Sequence, residues 1–362
     1  MSGSYYAVIM AGGGGTRLWP LSRKTRPKQM LRIIEQRSLF QMAVDRLGGL
    51  FEPHQILVVT VPDQLRELRE QCPQIPAENF LLEPAPRGTA AVVGLAAVHL
   101  GRLDPEAVMA VLTADHYIGN QEWFRQLLRV AEIVARQDYL VTLGINPTFA
   151  ATGYGYIQQG KLQGTYHGVD VYHVVRFKEK PDEFQAQVML VRGDHTWNSG
   201  MFIWKIERIR QEIRRQMPQL EAALSEIEMN WGKPSYAAVL EQQWQALTPE
   251  TIDYGIMEGA SDVVVIPAGA LNWSDVGSWD SLFDVLPADS QGNIVMGGRH
   301  FGLDTRQSLV YVSEEHRLIV TIGIRDLVVV DTGDVLLIVR KDEAQKVRQV
   351  VEILRENGEM YI

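Results

Sequence analysis

Residues Tyr6 to Met10 form a continuous apolar run that breaks into Gly12, Gly13, Gly14 and Gly15. A strand covered on both faces is apolar throughout, and a glycine turn at its end lets backbone N–H groups converge, so this pattern reads as a buried parallel strand feeding a loop. Similar runs recur at Ile56 to Thr60, Val108 to Leu112, Leu140 to Leu143 and Val263 to Ile266. Between several of them the apolar spacing turns helical. Leu39, Phe40, Ala43, Val44 and Leu47 share a face within 38–47, as do Phe124, Leu127, Leu128, Ala131 and Val134 within 122–135. The first 150 residues therefore predict an α/β unit, an open sheet with covering helices. Ligands of such sheets lie beyond the carboxyl ends of the strands, where the four glycines already stand.

Residues 151–285 are less regular. Gly153, Gly155, Trp197 and Gly200 punctuate expected strands, and a polar helical stretch runs near Ile206 to Met229. After Pro287 the runs Leu309 to Val312, Leu318 to Ile324, Leu327 to Val330 and Val335 to Val339 follow one another with turn signals and no helix between them. That spacing predicts a small all-β unit. A final helix is expected with Asp342 and Gln345 as cap, Val347, Val350, Val351 and Leu354 as apolar face, and Gly358 as stop. The organisation expected is a catalytic domain over 1–286 and a small domain with a terminal helix over 287–362.

Composition narrows the function. A chain of 362 residues exceeds what one core usually supports, which agrees with two domains. Its 35 Lys and Arg against 44 Asp and Glu leave a net charge of -9, with no basic run, so nucleic acid is not an expected partner. A single cysteine, Cys72, excludes an internal disulfide framework and multi-cysteine metal sites. The N-terminus lacks a basic region and a signal-length apolar run. The most apolar helical stretch, Ala90 to Leu100, contains Gly94 and His99 and falls well short of the ~20 residues of a membrane span. A soluble cytoplasmic protein without membrane contact is expected.

The glycine loop fits neither common phosphate-binding pattern. Counted from Gly12, the third glycine of G-x-G-x-x-G is Arg17, and Gly160-Lys161 and Gly232-Lys233 are followed by Leu162 and Pro234 where a Walker A loop needs Ser or Thr. What stands here is Gly12-Gly13-Gly14-Gly15-Thr16-Arg17-Leu18-Trp19-Pro20-Leu21-Ser22, with Pro27-Lys28-Gln29 shortly after. Arg17 offers a planar charged fork for two phosphate oxygens and Lys28 a mobile point charge. Taken alone, the string is equally a glycine turn with two solvated cations.

Together with further blocks, the string resembles the signature of the sugar-1-phosphate nucleotidylyltransferases, in the form similar to their mannose-1-phosphate guanylyltransferase branch. The blocks follow in order: Glu83 to Ala90 (EPAPRGTA), Thr113 to His116 (TADH), Gly153 to Ile157 (GYGYI), Phe177 to Pro181 (FKEKP), Trp197 to Phe202 (WNSGMF), Asp253 to Glu258 (DYGIME) and Trp273 to Trp279 (WSDVGSW). The first departs from the family pattern at Gly88, where Asn is usual, and at Ala91, where Pro is common.

The resemblance implies a Rossmann-like open mixed sheet of the nucleotidyltransferase type, then a short left-handed β-helix-like domain and a C-terminal helix. It implies transfer of GMP from GTP to mannose 1-phosphate, giving GDP-mannose and pyrophosphate. Gly12 to Gly15, Thr16 and Arg17 would hold the triphosphate, with Lys28 where charge develops on the α-phosphate and Arg17 and Lys28 as the catalytic cations. Glu83, Arg87 and Thr89 would form the guanine pocket, although that block also reads as a strand end and the cap of a helix from Thr89 to Leu100. Gly153, Tyr154, Gly155, Glu179, Lys180 and Asn198 would hold the sugar phosphate, while Glu179 and Lys180 also read as an exposed strand pair. Asp115 and Asp275 would bind Mg2+, which takes one or two carboxylates and fills its remaining positions with phosphates and water. Turn hydrogen bonding is the ordinary alternative for a strand-end aspartate such as Asp115. His116 is expected to support a ligand from behind or to pack, rather than to ligate itself. A homodimer is expected, and a transferase alone, without a fused phosphomannose isomerase. The remaining alternatives are a nucleotidylyltransferase for another base or hexose and an inactive regulatory subunit that binds a nucleotide sugar.

Overall fold

The computed structural model describes residues 3–34, 36–314 and 316–361. The chain condenses into two compact units. The first comprises residues 1–12, 44–114 and 118–273, and the second comprises 13–43, 115–117 and 274–362.

The first unit is built on a nine-stranded mixed sheet. Its order is Phe80–Leu82, Ile56–Thr60, Tyr5–Met10, Val108–Thr113, His195–Lys205, Leu140–Ile145, Val263–Pro267, Val169–Lys178 and Tyr156–Tyr166. The four strands at the first edge are mutually parallel. His195–Lys205 runs antiparallel between Val108–Thr113 and Leu140–Ile145. The five apolar runs read in the sequence are all strands here, and each of their central residues is buried, as a sheet covered on both faces requires. The sheet is not confined to the first 150 residues, because four strands from later in the chain complete it.

Helix Thr89–Leu103 is apolar nearly all round and lies in the core with Leu220, Leu224, Ile209 and Ile213. The polar stretch from Ile206 is two helices, Ile206–Gln216 and Pro218–Asn230. Pro218 lacks the N–H a continuing helix would use and instead opens the second one.

The second unit carries the rungs of a β-helix-like domain. Ile294–Gly297, Leu309–Val312 and Leu327–Asp331 stack in parallel, and Arg299–Leu303 pairs in parallel with Leu318–Ile322. Ile294, Leu309 and Val328 are in register and buried, so successive rungs place one aliphatic side chain above another. Leu336–Arg340 closes the stack antiparallel to Leu327–Asp331. The terminal helix is Val347–Glu356, preceded by a 3-10 segment Lys341–Lys346. Asp342 does not cap it: its carboxylate pairs with Arg340, and the helix starts one turn later than the cap pattern predicts. Val347 and Val351 are buried, Leu354 packs against them, and Val350 is exposed.

The core of this unit is shared with residues just after the glycines. Leu18, Trp19, Leu31, Ile33 and Ile34 pack with Val276, Trp279 and Leu282, with Leu309 and Val328 of the rungs, and with Val347 and Val351 of the terminal helix. Trp279 donates its indole N–H to the carbonyl of Trp19 at 2.9 Å, and Trp19 donates its own to the carbonyl of Tyr361 at 2.7 Å. The loop segment thus has its own apolar foundation.

Candidate active site

In the second unit, the loop is fixed from below. Gly15 has φ +42°, and a Cβ there would lie 2.8 Å from both the N and Cβ of Lys28, so only glycine permits this approach. Gln29 donates its side-chain amide to the Gly13 carbonyl at 2.9 Å. Side chains added at Gly13 or Gly14 would meet nothing within 4 Å, which leaves that stretch of backbone accessible. Thr16 and Arg17 open a 3-10 turn, and the Arg17 side chain is 60% exposed.

Lys28 is 5% exposed. Its ammonium lies 2.9 Å from Asp115 Oδ2 and donates to the main-chain carbonyl of Asp275 at 2.5 Å. Arg17 Nη1 is 3.9 Å from Asp275 Oδ2, and Asp275 Oδ1 accepts the Gly277 N–H at 3.1 Å. Burial acts to raise the Asp115 carboxyl, but Lys28, His116 and Arg17 together outweigh it and hold it down at about 2. Asp115 is therefore a carboxylate at neutral pH. With a depressed native pKa, its contribution to stability is present above the unfolded value and is lost as pH falls toward about 2. His116 is mostly buried with Nε2 3.8 Å from Asp115 Oδ1.

In the first unit, Glu83 is 3% exposed, and a Cβ on Gly12 would lie 2.1 Å from Glu83 Oε1. Burial pushes the Glu83 carboxyl up to about 7, against a hydrogen bond from the Arg87 N–H, and Oε2 is buried without a hydrogen-bond partner. Arg87 and Thr89 spend their side chains elsewhere. The guanidinium of Arg87 donates to the carbonyls of Trp244 and Gln245, and the Thr89 hydroxyl accepts the Ile252 N–H at 2.9 Å. Both brace the segment around Glu83 against residues 244–252.

The expected sugar-phosphate residues converge in the same unit. The Asn198 N–H donates to the Gly155 carbonyl at 2.8 Å, and a Cβ on Gly155 would lie 2.2 Å from Glu179 Oε2. Glu179 pairs with Lys180, whose own φ is +42°, and its Oε2 is buried without a hydrogen-bond partner. Tyr154 meets Trp197 and Trp273 edge-on at 5.0 and 5.7 Å, and a Cβ at Gly153 would meet nothing within 4 Å. One residue here carried no role in the sequence reading: Asp253, within the block DYGIME, accepts the Asn198 side-chain amide at 2.6 Å. The block itself was the only sequence signal for it.

Asp115 and Asp275 suit a hard divalent cation. Both lie around the Lys28 ammonium, Asp115 through a carboxylate held ionised and Asp275 with its carboxylate beside Arg17. Among the described residues no group of three or more His, Cys, Asp or Glu is placed to hold a metal. A cation at these two aspartates would complete its coordination with phosphate and water, the habit of Mg2+. No helix among the described residues is long and apolar enough to cross a membrane.

The open glycine loop, the buried Lys28 and the aspartates on either side of it are a donor set suited to phosphate esters. The chain belongs to the nucleotidyl transferase family, whose model matches residues 6–292, and residues 298–354 match a MannoseP isomerase/GMP-like β-helix domain. Among curated relatives it is 38% identical to the mannose-1-phosphate guanylyltransferase of Klebsiella pneumoniae, over 97% of this chain and 74% of that protein. It is 38% identical, over the same shares, to one from Escherichia coli. A solved structure from Thermus thermophilus, described as a mannose-1-phosphate geranyltransferase, superposes with a TM-score of 0.87 at 36% identity, covering 98% of this chain and all of that one. The chain is a nucleotidyltransferase, and nucleotidyltransferases of this family generally use a divalent metal.

Proposed function

We propose that the protein transfers GMP from GTP to mannose 1-phosphate in the cytoplasm, releasing GDP-mannose and pyrophosphate. The observation that carries this reading is Lys28, a cation held nearly out of water between Asp115 and Asp275 next to an open glycine loop. An ionised phosphate oxygen of the sugar attacks the α-phosphorus, the bond from that phosphorus to the bridging oxygen breaks, and pyrophosphate leaves with the electron pair. No proton need move at the nucleophile. The protein's work is positioning and charge neutralisation: Gly12 to Gly15, Thr16 and Arg17 hold the triphosphate, and Lys28 faces the charge that grows on the α-phosphate. Mg2+ at Asp115 and Asp275 would supply neutralisation and in-line alignment of the phosphate oxygens.

Glu83 is the base-reading group, framed by Arg87 and Thr89. Guanine presents two adjacent donors on its pairing edge where adenine and uracil present one each, so a Glu83 carboxylate with a buried, unsatisfied oxygen is matched on both oxygens only by guanine. Gly153, Tyr154, Gly155, Glu179, Lys180 and Asn198 form the hexose-phosphate side. In this reading, residues 1–286 are the catalytic part and 287–362 the β-helix-like part. Turnover of GTP, ATP, UTP and dTTP, each with mannose 1-phosphate and glucose 1-phosphate, is expected to favour GTP with mannose 1-phosphate by released pyrophosphate. Faster turnover of another nucleotide would overturn the base assignment and leave the family intact.

The β-helix-like part would also make a homodimer. Phe301 and Leu303 on one strand stand beside Val320 and Ile322 on its parallel neighbour, and with Leu318 all are more than half exposed. A flat apolar face of this kind is a usual site of association. Phe301→Asp combined with Val320→Asp is expected to halve the mass seen by light scattering while leaving the circular dichroism spectrum unchanged. A wild-type protein that is already monomeric would sink the dimer.

A further inference from the structure

Asn198 does not meet a ligand with a free amide. Its carbonyl oxygen accepts the Gly200 N–H at 3.0 Å, and its amide nitrogen donates to Asp253 Oδ1 at 2.6 Å. One N–H and one lone pair remain for anything else. Exchanging the two ends of the amide would set its oxygen against a carboxylate and its NH2 against an N–H donor, so the pair of contacts admits only one orientation.

Asp253 is itself held. It opens a single π-helical turn, Asp253–Met257, that is pinned on its entry side by the Thr89 hydroxyl accepting the Ile252 N–H. On its exit side Gln216 donates to the Ile256 carbonyl at 3.1 Å, and Glu258 accepts the Glu179 N–H at 3.2 Å. The groups that face the Asp253 carboxyl are Asn198 from strand His195–Lys205 and Glu179 and Lys180 from the segment after strand Val169–Lys178. Burial first, then the Glu179 charge, push Asp253 up to about 6, against the hydrogen bond from Asn198, a backbone hydrogen bond and the charge of Lys180.

We propose that Asp253 is a positioning residue for hexose recognition: it orients the Asn198 amide, and through it the donor and acceptor directions by which one hexose 1-phosphate is told from its epimers. The inference rests on reading this cluster as the hexose side of the reaction. A hydroxyl at one carbon differs between epimers only in direction, and an amide free to turn over would accept either. A locked amide discriminates, because the wrong epimer leaves a buried polar group unpaired.

The test uses the full chain with Asp253→Asn, Asn198→Ala and the double variant. Asp253→Asn is expected to raise the KM for mannose 1-phosphate about tenfold or more, as loss of a charge-assisted hydrogen bond does, with the KM for GTP within about twofold. It is also expected to narrow the preference for mannose over glucose 1-phosphate. In the Asn198→Ala background the same change should add little, since a residue acting through Asn198 has nothing left to orient. GDP-mannose has no group of its own titrating near pH 6, so its Kd reports the protein. Glu83, at about 7, gives wild type and variant the same inflection, so the comparison isolates Asp253: wild-type affinity is expected to fall further below about 6, where protonation weakens the acceptor, and Asp253→Asn is expected to lack that second inflection. Additive effects of the two substitutions, or an equal rise in both KM values with a lowered Tm, would overturn the proposal. If the wild type proves to use a different hexose phosphate, the functional reading falls, and the same three variants assayed with that hexose phosphate decide the role of Asp253.

Discussion

Asp275→Asn is expected to lower metal-dependent turnover about 10²- to 10³-fold while leaving the fold intact by circular dichroism. Two contacts of Asp275 survive this substitution. Lys28 bonds the main-chain carbonyl of Asp275, which the change retains, and Gly277 donates to one side-chain oxygen, which an amide also provides. What disappears is the charge that faces Arg17 and would face a cation. Triphosphate and sugar phosphate are both anionic, and their repulsion in a partly dehydrated cleft is severe unless a cation bridges them. A ligand role predicts that the residual activity needs a higher Mg2+ concentration. Near wild-type activity across a Mg2+ titration would remove Asp275 from the metal site.

The second large effect is that of Lys28→Ala, expected to reduce kcat about 10²- to 10³-fold and to change the KM for GTP far less. A cation aimed where charge grows during the reaction stabilises the transition state more than the bound substrate. The structure adds a second consequence, because Lys28 is the nearest cation to Asp115. Without it, burial acts on the Asp115 carboxyl with less opposition, and that group is expected to titrate above its present value of about 2. Single-turnover kinetics with a thermal melt separates the chemical step from any loss of folded protein. An unchanged kcat with only a raised KM would make Lys28 a binding residue.

The shared core explains why both variants need a folding control. The segment that carries Lys28 and the loop that carries Asp275 lie over apolar residues packed against the rungs and the terminal helix. The β-helix-like part therefore does more than cover its own surface, since it supplies the support on which Leu18, Trp19 and Leu31 rest.

Local elements and the chemical inventory were already legible in the order of the residues. The runs at 56–60, 108–112 and 263–266 were legible as strands because burial on two faces leaves a continuous apolar run, and those at 309–312, 318–324, 327–330 and 335–339 because turn signals separate short apolar segments, whereas the strands 294–297 and 299–303 carry no run of that length. The loop glycines, Arg17, Lys28 and the two aspartates were legible as residue types fit for phosphate and metal. Which of them meet was decided by the tertiary structure alone. Lys28 reaches Asp275 across 247 positions, Arg87 reaches Trp244 across 157, and Asp253 reaches Asn198 across 55. Periodicities of two and 3.6 residues report which way a side chain faces its own element and nothing about the distant element it finds there. The same limit left the base block ambiguous, since the motif alone did not reveal that Arg87 and Thr89 would turn to backbone groups at 244, 245 and 252 while Glu83 kept an unsatisfied oxygen. It also hid the raised Asp253 and Glu83 carboxyls and the lowered Asp115 one, because such shifts come from burial and neighbours that exist only once the chain has folded.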